Sequence, residues 1–308
     1  MVKTEGKASE RNIMLKRRKR SETIGLTIES FLLVLALVIF VLPFLNIFAI
    51  SLSSSRAVMS GDVWFWPVEF EAEAWVRVFR NAELLKSFVF TVFLTATCTA
   101  MQVLMVIFAA FPLSRKGLRG RGFFLTFFMV TMYFGGGLIP TYLLYQFLGL
   151  LDNPLVLVLP GSFSVFSMLI MRTAFASISD SLEESARIDG AGDFTILFRI
   201  YFFLALPTIA TLALFAAVGR WNGFMDAVFF MPSNKAYIPL QLVLQRTLGV
   251  LTDSTEASRK LNSSAKVTII KETQKAANLL FTVIPIIMVY PWLQKYFVKG
   301  VMVGAIKS

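Results

Sequence analysis

The sequence predicts an all-α integral membrane protein that crosses the bilayer six times. Three observations carry this prediction. Hydrophobic residues make up 56% of the 308-residue chain and charged ones only 16%, too apolar a balance for an ordinary soluble surface. Six uncharged stretches each come close to or exceed the ~20 residues that a spanning helix needs. The cations gather in the segments between those stretches rather than within them.

The first helix is expected over about 30–51, because Glu29 and Arg56 bracket 26 uncharged residues, well beyond the apolar core of a signal peptide. Pro43 would kink it. The remaining uncharged intervals are 87–114, 122–151, 153–171, 200–219 and 276–294. They place the other spans at about 87–112, 123–147, 154–176, 201–222 and 276–295. Residues 1–29 form a basic N-terminal arm that ends in Lys16-Arg17-Arg18-Lys19-Arg20, and residues 30–308 form one membrane domain. Six spans put both termini on the same side. The segments then assigned inside hold 18 Lys/Arg against 12 outside. Short loops weigh most: Arg115 to Arg121 carries four cations and no acid, while its counterpart at 148–154 carries no cation. The positive-inside rule therefore places both ends in the cytoplasm.

Of the outer segments, 52–86 contains Trp64, Trp66 and Trp75 with mixed charges, the composition of an interfacial or amphipathic piece. Residues 226–265 are longer and polar, either a working loop or a connector. Breakers interrupt three spans: Gly135-Gly136-Gly137 with Pro140, Pro160-Gly161, and Pro285 with Pro291. In a membrane such breaks survive where protein or water satisfies the freed backbone groups, as plain kinks or as hinges. Uncharged polar and aromatic residues within spans are Asn46, Gln102, Tyr133, Tyr142, Tyr145, Gln146 and Asn222. Spacings of three and four put Tyr142, Tyr145 and Gln146 on one helix face. They suit either interhelical bonding or a polar path through the bundle.

Several chemistries are excluded. The formal charge is +11, but its cations flank apolar runs, so no nucleic acid partner is expected. The chain has no histidine and one cysteine, Cys98, which leaves no metal site and no disulfide frame. It has no phosphate-binding G-x-x-x-x-G-K-[ST] loop, no paired carboxylates at a membrane cavity, and no intramembrane charges of the kind that suggest a proton or sodium relay. An enzyme is not expected. The last absence argues against an ion-driven secondary transporter, the main alternative together with a channel for a small polar solute.

The informative passage is the charged loop 179–200. Ser181 and Glu184 have the S-x-x-E spacing of a capping box. Gly190 can take the left-handed turn that ends the short helix. Asp193 is placed to cap a second helix with Phe194, Leu197, Phe198 and Tyr201 on one side. Glu183 and Arg187 stand four apart, a routine helix pair. The expected product is a rigid elbow held against the bilayer by its flanks.

The run Glu184-Ser185-Ala186-Arg187-Ile188-Asp189-Gly190-Ala191, continuing to Pro207, resembles the EAA loop of ATP-binding-cassette importer permeases, in the Asp-Gly-Ala variant of carbohydrate importers. Trp221-Asn222-x-Phe224 and the tail Gln294-Lys295-Tyr296-Phe297-Val298-x-Gly300, then Gly304-Ala305-Ile306-Lys307, are similar to the same family. The likeness runs from about Ser87 to the C-terminus and is narrowest to the maltose-type subgroup for oligo- and polysaccharides, which includes the alginate importer. Ser185 replaces the second motif residue, and Phe202-Phe203 stands where Leu-Pro is usual, while Pro207 matches a second proline.

The resemblance implies the type I importer permease fold, with the loop serving as a coupling helix seated in a cleft of an ATPase subunit. The implied coupling residues are Glu184, Ser185, Ala186, Asp189, Gly190 and Ala191. The implied translocation path is lined by Tyr133, Tyr142, Tyr145, Gln146 and Asn222. The implied partners are a second permease, two ATPase subunits that bind ATP and Mg, an extracytoplasmic solute-binding protein and membrane lipid. No cofactor is expected on this chain. The implied location is a bacterial cytoplasmic (inner) membrane, and the loop at 226–265 would be the part that reaches toward the binding protein.

Overall fold

A computed structural model describes residues 20–234, 236–249 and 272–305. The basic arm through residue 19, the second half of the 226–265 loop and Ile306-Lys307 lie outside the described residues. Among those described, helix dominates, and the only strand pairing is a single bridge between Ser53 and Phe70.

Helix α1 (Arg20–Ser51) starts ten residues before its expected membrane entry and continues through Pro43. Its apolar part, Gly25–Ser51, is exposed along most of its length, and its main neighbour is α15 (Glu272–Ala305). The chain then folds back. Ser54 caps α2 (Ser55–Ser60) by accepting from the Ala57 amide, and Asn46 donates to the Trp64 carbonyl at 2.6 Å. Helix α3 (Glu73–Arg80) is amphipathic, as expected of the 52–86 segment, with Ala74 and Val78 buried. Trp64 and Trp66 stay exposed, whereas Trp75 stacks on Phe79 and donates to Ser51 Oγ at 3.3 Å.

Helix α4 (Ala82–Ser114) is the mast of the fold. Asn81 starts it by accepting from the Glu83 and Leu84 amides. Its 33 residues span about 50 Å at the usual rise, more than the hydrocarbon thickness of a bilayer. Its first half contributes Leu84, Leu94 and Cys98 to one buried cluster with Val156, Leu157, Trp221 and Leu240. Its second half contributes Val106, Ile107, Ala110, Phe111 and Leu113 to another, with Met168, Met171, Phe175, Ile196, Leu197 and Tyr201. One rod thus joins both clusters.

The breakers act as strongly as their chemistry allows. The expected span 123–147 is two helices, α5 (Arg121–Tyr133) and α6 (Leu138–Phe147), bent by 110° at Gly135–Gly137. Gly137 has φ +81°, open to glycine at no steric cost, and Pro140 falls in the first turn of α6, where its missing N–H is not needed. Helix α7 (Leu155–Val158) and the 3₁₀ turn Pro160–Ser162 meet α8 (Val165–Ala176) at 41°. After the elbow helices α9 (Asp180–Ile188) and α10 (Asp193–Ile196) come a π turn at Leu197–Tyr201, α11 (Phe202–Leu204) and α12 (Leu206–Asn222). The stretch before Ala205 meets α12 at 81°. By contrast, α15 runs unbroken through Pro285 and Pro291.

The 226–265 segment is less loop-like than its composition suggests. It begins with α13 (Met225–Phe230) and includes α14 (Leu240–Thr247), whose Leu240, Leu242, Val243 and Leu244 are buried. Between them, Asp152 Oδ1 accepts from the amides of Ser233 (2.8 Å) and Asn234 (3.2 Å), pinning the root of the segment to the 148–154 turn.

Candidate functional site

The elbow is built largely as expected, with its cap moved by two residues. Ser179, not Ser181, is the N-cap of α9, and Ser181 lies in the first turn with its hydroxyl 2.8 Å from Ser179 Oγ. Glu184 is therefore too far along the helix to close a capping box, and it is exposed with no hydrogen bond or ion pair among the described residues. The C-terminal end matches expectation. Gly190 has φ +80°, its amide bonds Arg187 O at 3.0 Å, and the Ala191 amide bonds Ala186 O at 2.9 Å. Those two bonds are the Schellman pattern, and Ala186 and Ala191 both pack on the second cluster. Ser185 and Asp189 are exposed. An added Cβ at Gly190 would meet nothing within 4 Å, so the cost of substitution is purely conformational. Gly190→Ala is expected to weaken the closure by about 1 kcal/mol, read as roughly fivefold faster hydrogen exchange at the Gly190 and Ala191 amides. Ser185→Ala should leave that exchange unchanged.

Gly192 rather than Asp193 occupies the cap position of α10. The Asp193 carboxylate is engaged elsewhere, by Arg115 Nη1 at 2.8 Å and Arg187 Nη2 at 2.6 Å. Those bonds, from Arg115 first and Arg187 second, hold the Asp193 carboxyl below its ordinary range. The expected apolar stripe is also rotated. Ile196, Leu197 and Tyr201 are buried, but Phe194 is 71% exposed and Phe198 is exposed too. A π turn, in which the Phe202 amide reaches Leu197 O, five residues back, shifts the helical register from Leu197 onward; Phe194 precedes it.

Glu183 is the hub. Its carboxylate is only 16% exposed and accepts from Arg187 Nε at 3.1 Å and from Tyr201 Oη at 2.8 Å. Arg115 Nη2 lies 3.2 Å away, close enough for attraction but not aligned as a donor; the buried Nε of Arg115 likewise has no acceptor. Arg187 is correspondingly held above its ordinary range, through Glu183 first and Asp193 second. Arg115, 21% exposed, sits over the Phe111 ring at 4.1 Å. Phe111 in turn meets Tyr201 edge-on at 5.1 Å, and Tyr201 meets Phe175 at 5.5 Å. The end of α4, the helix α9 and the π turn are thus joined by two guanidinium groups, two carboxylates and three rings. The network borders a cleft of ≈810 Å³ that also includes Lys116, Arg121 and Glu184. Its polar contacts face inward. Exposed without a polar partner are Ile188 (87%) and, on the rim of the same cleft, Glu184 and Phe194.

Arg115 was legible only as a topological charge. A signal for more was present: the passage 179–193 carries five acids against one arginine, and the short loop 115–121 carries four cations and no acid. Two loops of opposite sign on the same side of a bundle attract each other. The exposed Lys116–Asp180 pair at 3.1 Å belongs to the same pairing but contributes little, as exposed pairs do.

The five path candidates do not converge on one cavity. Tyr142 and Tyr145 share a face, as their spacing predicts, and both reach Phe230, at ring separations of 6.3 and 4.8 Å. Gln146 is exposed beside them, and Tyr133 lies across the 110° bend. Asn222 donates to Val218 O and accepts from Gln241 Nε2 at 3.1 Å. A separate groove of ≈700 Å³ lies between α4, α12 and α15 with an almost wholly apolar lining that includes Thr95, Thr99 and Pro285. Helix α12 also carries a charge that the interval 200–219 stops short of. Arg220, 11% exposed, pairs with Asp226 and donates to Leu157 O at 3.2 Å and Gly223 O at 3.0 Å. That pair clamps the turn after Trp221, whose Nε1 donates to Thr282 O at 3.2 Å.

No protein-family profile matches the chain. It is 35% identical over 289 residues to the polygalacturonan/rhamnogalacturonan transport system permease protein YtcP of Bacillus subtilis, covering 94% of this chain and all of that one. It is 36% identical to protein LplC of the same organism, covering 87% and 90% of the two chains. Among solved structures it is similar to a bacterial ABC transporter involved in the import of the acidic polysaccharide alginate, with a TM-score of 0.80 and 35% identity over 91% of this chain and 98% of that one.

Proposed function

The chain belongs to the permeases of ATP-binding-cassette carbohydrate importers, and we propose that it moves an acidic oligo- or polysaccharide across a bacterial cytoplasmic membrane. The observation that carries the mechanism is an elbow locked from within and bare where it is exposed. Glu183 and Asp193 are consumed by contacts within the chain, while Glu184, Ile188 and Phe194 are exposed and without a polar partner among the described residues. Such a body is stiff enough to pass on a displacement and has a surface left for a partner. In this reading two ATPase subunits bind ATP and Mg, and one of them receives α9 in a cleft. Closure of the ATPases pushes α9, the ion network carries the push into α4, and α4 carries it through both buried clusters.

Six spans with both termini inside, at the boundaries stated above, fit the short cationic loop 115–121 and the helices and bent pairs of the fold. The exposed apolar faces of α1 and α5 suit a second permease and lipid, the remaining surfaces of a heterodimeric pore. Tyr142, Tyr145, Gln146, Tyr133 and Asn222 are proposed to line its path, with the aromatic faces toward sugar rings. The pinned root of the 226–265 segment faces the solute-binding protein. The acidic nature of the substrate is supported by two similar proteins, one named for polygalacturonan and rhamnogalacturonan and one for alginate.

The test is uptake by proteoliposomes that hold the complete transporter with its binding protein. Uronate oligosaccharides are expected to accumulate only with internal ATP, and neutral oligosaccharides of the same length much less. Uptake that proceeds without ATP would identify a channel or secondary transporter instead.

A further inference from the structure

Two arginines outside the elbow network converge on one oxygen. Arg121, the first residue of α5, donates from Nε to the Leu113 carbonyl at 3.0 Å. Arg172, in the last two turns of α8, donates from Nε to the same carbonyl at 3.2 Å. Leu113 is the penultimate residue of α4, so its carbonyl is one of the four that a helix end leaves without an internal partner. Both side chains are partly buried, and neither reaches a carboxylate among the described residues. Their terminal Nη groups make no hydrogen bond there either.

Capping accounts for the two Nε donors, one to each lone pair of the carbonyl oxygen, but not for the charge that they bring. A helix C-terminus offers the equivalent of about half a negative charge. Two guanidinium groups bring two positive ones, which leaves about one and a half uncompensated. Elsewhere at this end of the fold Arg115 and Arg187 are matched by Glu183 and Asp193, while Arg119 and Arg199 are exposed to solvent. Arg121 and Arg172 are partly buried and have no carboxylate partner among the described residues.

We propose that Arg121 and Arg172 bind a phosphate group, the headgroup of an anionic phospholipid. The planar guanidinium matches phosphate oxygens in pairs, and with both Nε atoms held on Leu113 O the Nη donors of the two side chains are left for one phosphodiester. The position suits a lipid, because basic pockets between spanning helices at the membrane surface take anionic headgroups. Directly after Arg121, α5 exposes Phe123, Phe124 and Phe127, an apolar flank along which acyl chains can lie. Existence of the site does not depend on the topology proposed above; only its assignment to the cytoplasmic leaflet does.

The experiment is native mass spectrometry of the intact transporter complex, delipidated and then titrated with phosphatidylglycerol, with diacylglycerol of the same chains, or with inorganic phosphate. Phosphatidylglycerol is expected to be retained about tenfold better by the wild type than by Arg121→Gln/Arg172→Gln, and diacylglycerol equally poorly by both. Arg119→Gln, an exposed cation of the same loop, should retain the lipid like the wild type. Retention of inorganic phosphate without lipid would keep the phosphate site and assign it to a soluble anion. If the double variant does not assemble, the single variants decide: each leaves one donor on Leu113 O and should lose several-fold in retention. Equal retention of every phosphate compound by wild type and variants would overturn the proposal.

Discussion

Transporters carrying Glu184→Lys are expected to reach the membrane intact and to lose sugar-stimulated ATP hydrolysis. Glu184 takes no part in holding the elbow together, since the N-cap is Ser179 and no capping box forms, and the internal contacts belong to Glu183. Reversing its charge therefore leaves the network untouched and acts only on whatever meets the exposed side chain. A charge truncated at a buried interface costs about 2–5 kcal/mol, which is roughly one and a half to three and a half orders of magnitude in docking. The measurement is ATP hydrolysis by the reconstituted complex with and without loaded binding protein. Glu184→Gln should fall between the two. Wild-type stimulation in Glu184→Lys would mean that α9 contacts its partner through other residues.

Arg115→Met is expected to give the second large effect, through the inside of the elbow rather than its face. Methionine keeps an apolar stem over Phe111 but removes the cation that ties α4 to Glu183 and Asp193. The cluster now holds two arginines against two carboxylates; the variant leaves Arg187 alone against both. With Arg115 21% exposed, the loss lies between the negligible cost of an exposed pair and the ~3–5 kcal/mol of a fully buried one, about 1–2 kcal/mol. That is too little to unfold the chain but enough to free α9 from α4. ATP hydrolysis should persist while sugar moved per ATP falls about tenfold, with the ATPase subunits still co-purifying. Arg115→Lys should restore part of the ratio, because an ammonium keeps the charge but cannot span two carboxylates. An unchanged ratio in Arg115→Met would remove α4 from the transmission path.

The elbow was readable in the sequence to the degree that its parts are local. Gly190 ends α9 where expected because a left-handed residue is cheap only for glycine, and nothing distant is needed for it. The cap was misplaced because two serines, Ser179 and Ser181, both precede acidic residues, and local spacing favours the wrong one. From Leu197 onward the stripe departs from a regular period because a π turn at Leu197–Tyr201 adds one residue to the repeat. Of the polar residues within spans, Tyr142 and Tyr145 do share a face, because i, i+3 is a property of one helix.

The sequence by itself determined that this is a membrane-embedded helical protein with a capped elbow, because run length, charge placement and turn chemistry all act within a few residues of chain; the permease assignment came through the resemblance of the elbow motif. Only the tertiary structure decided which carboxylate is held by internal contacts and which is left exposed. It also decided that the 123–147 stretch bends by 110°, that the 226–265 segment includes a helix with a buried face, and that Arg121 and Arg172 share one carbonyl. Arg115 and Asp193 are 78 residues apart in the chain, as Arg172 and Leu113 are 59 apart. The partners of a guanidinium follow from how α4, α8, α9 and α10 pack, and packing depends on every buried side chain at once.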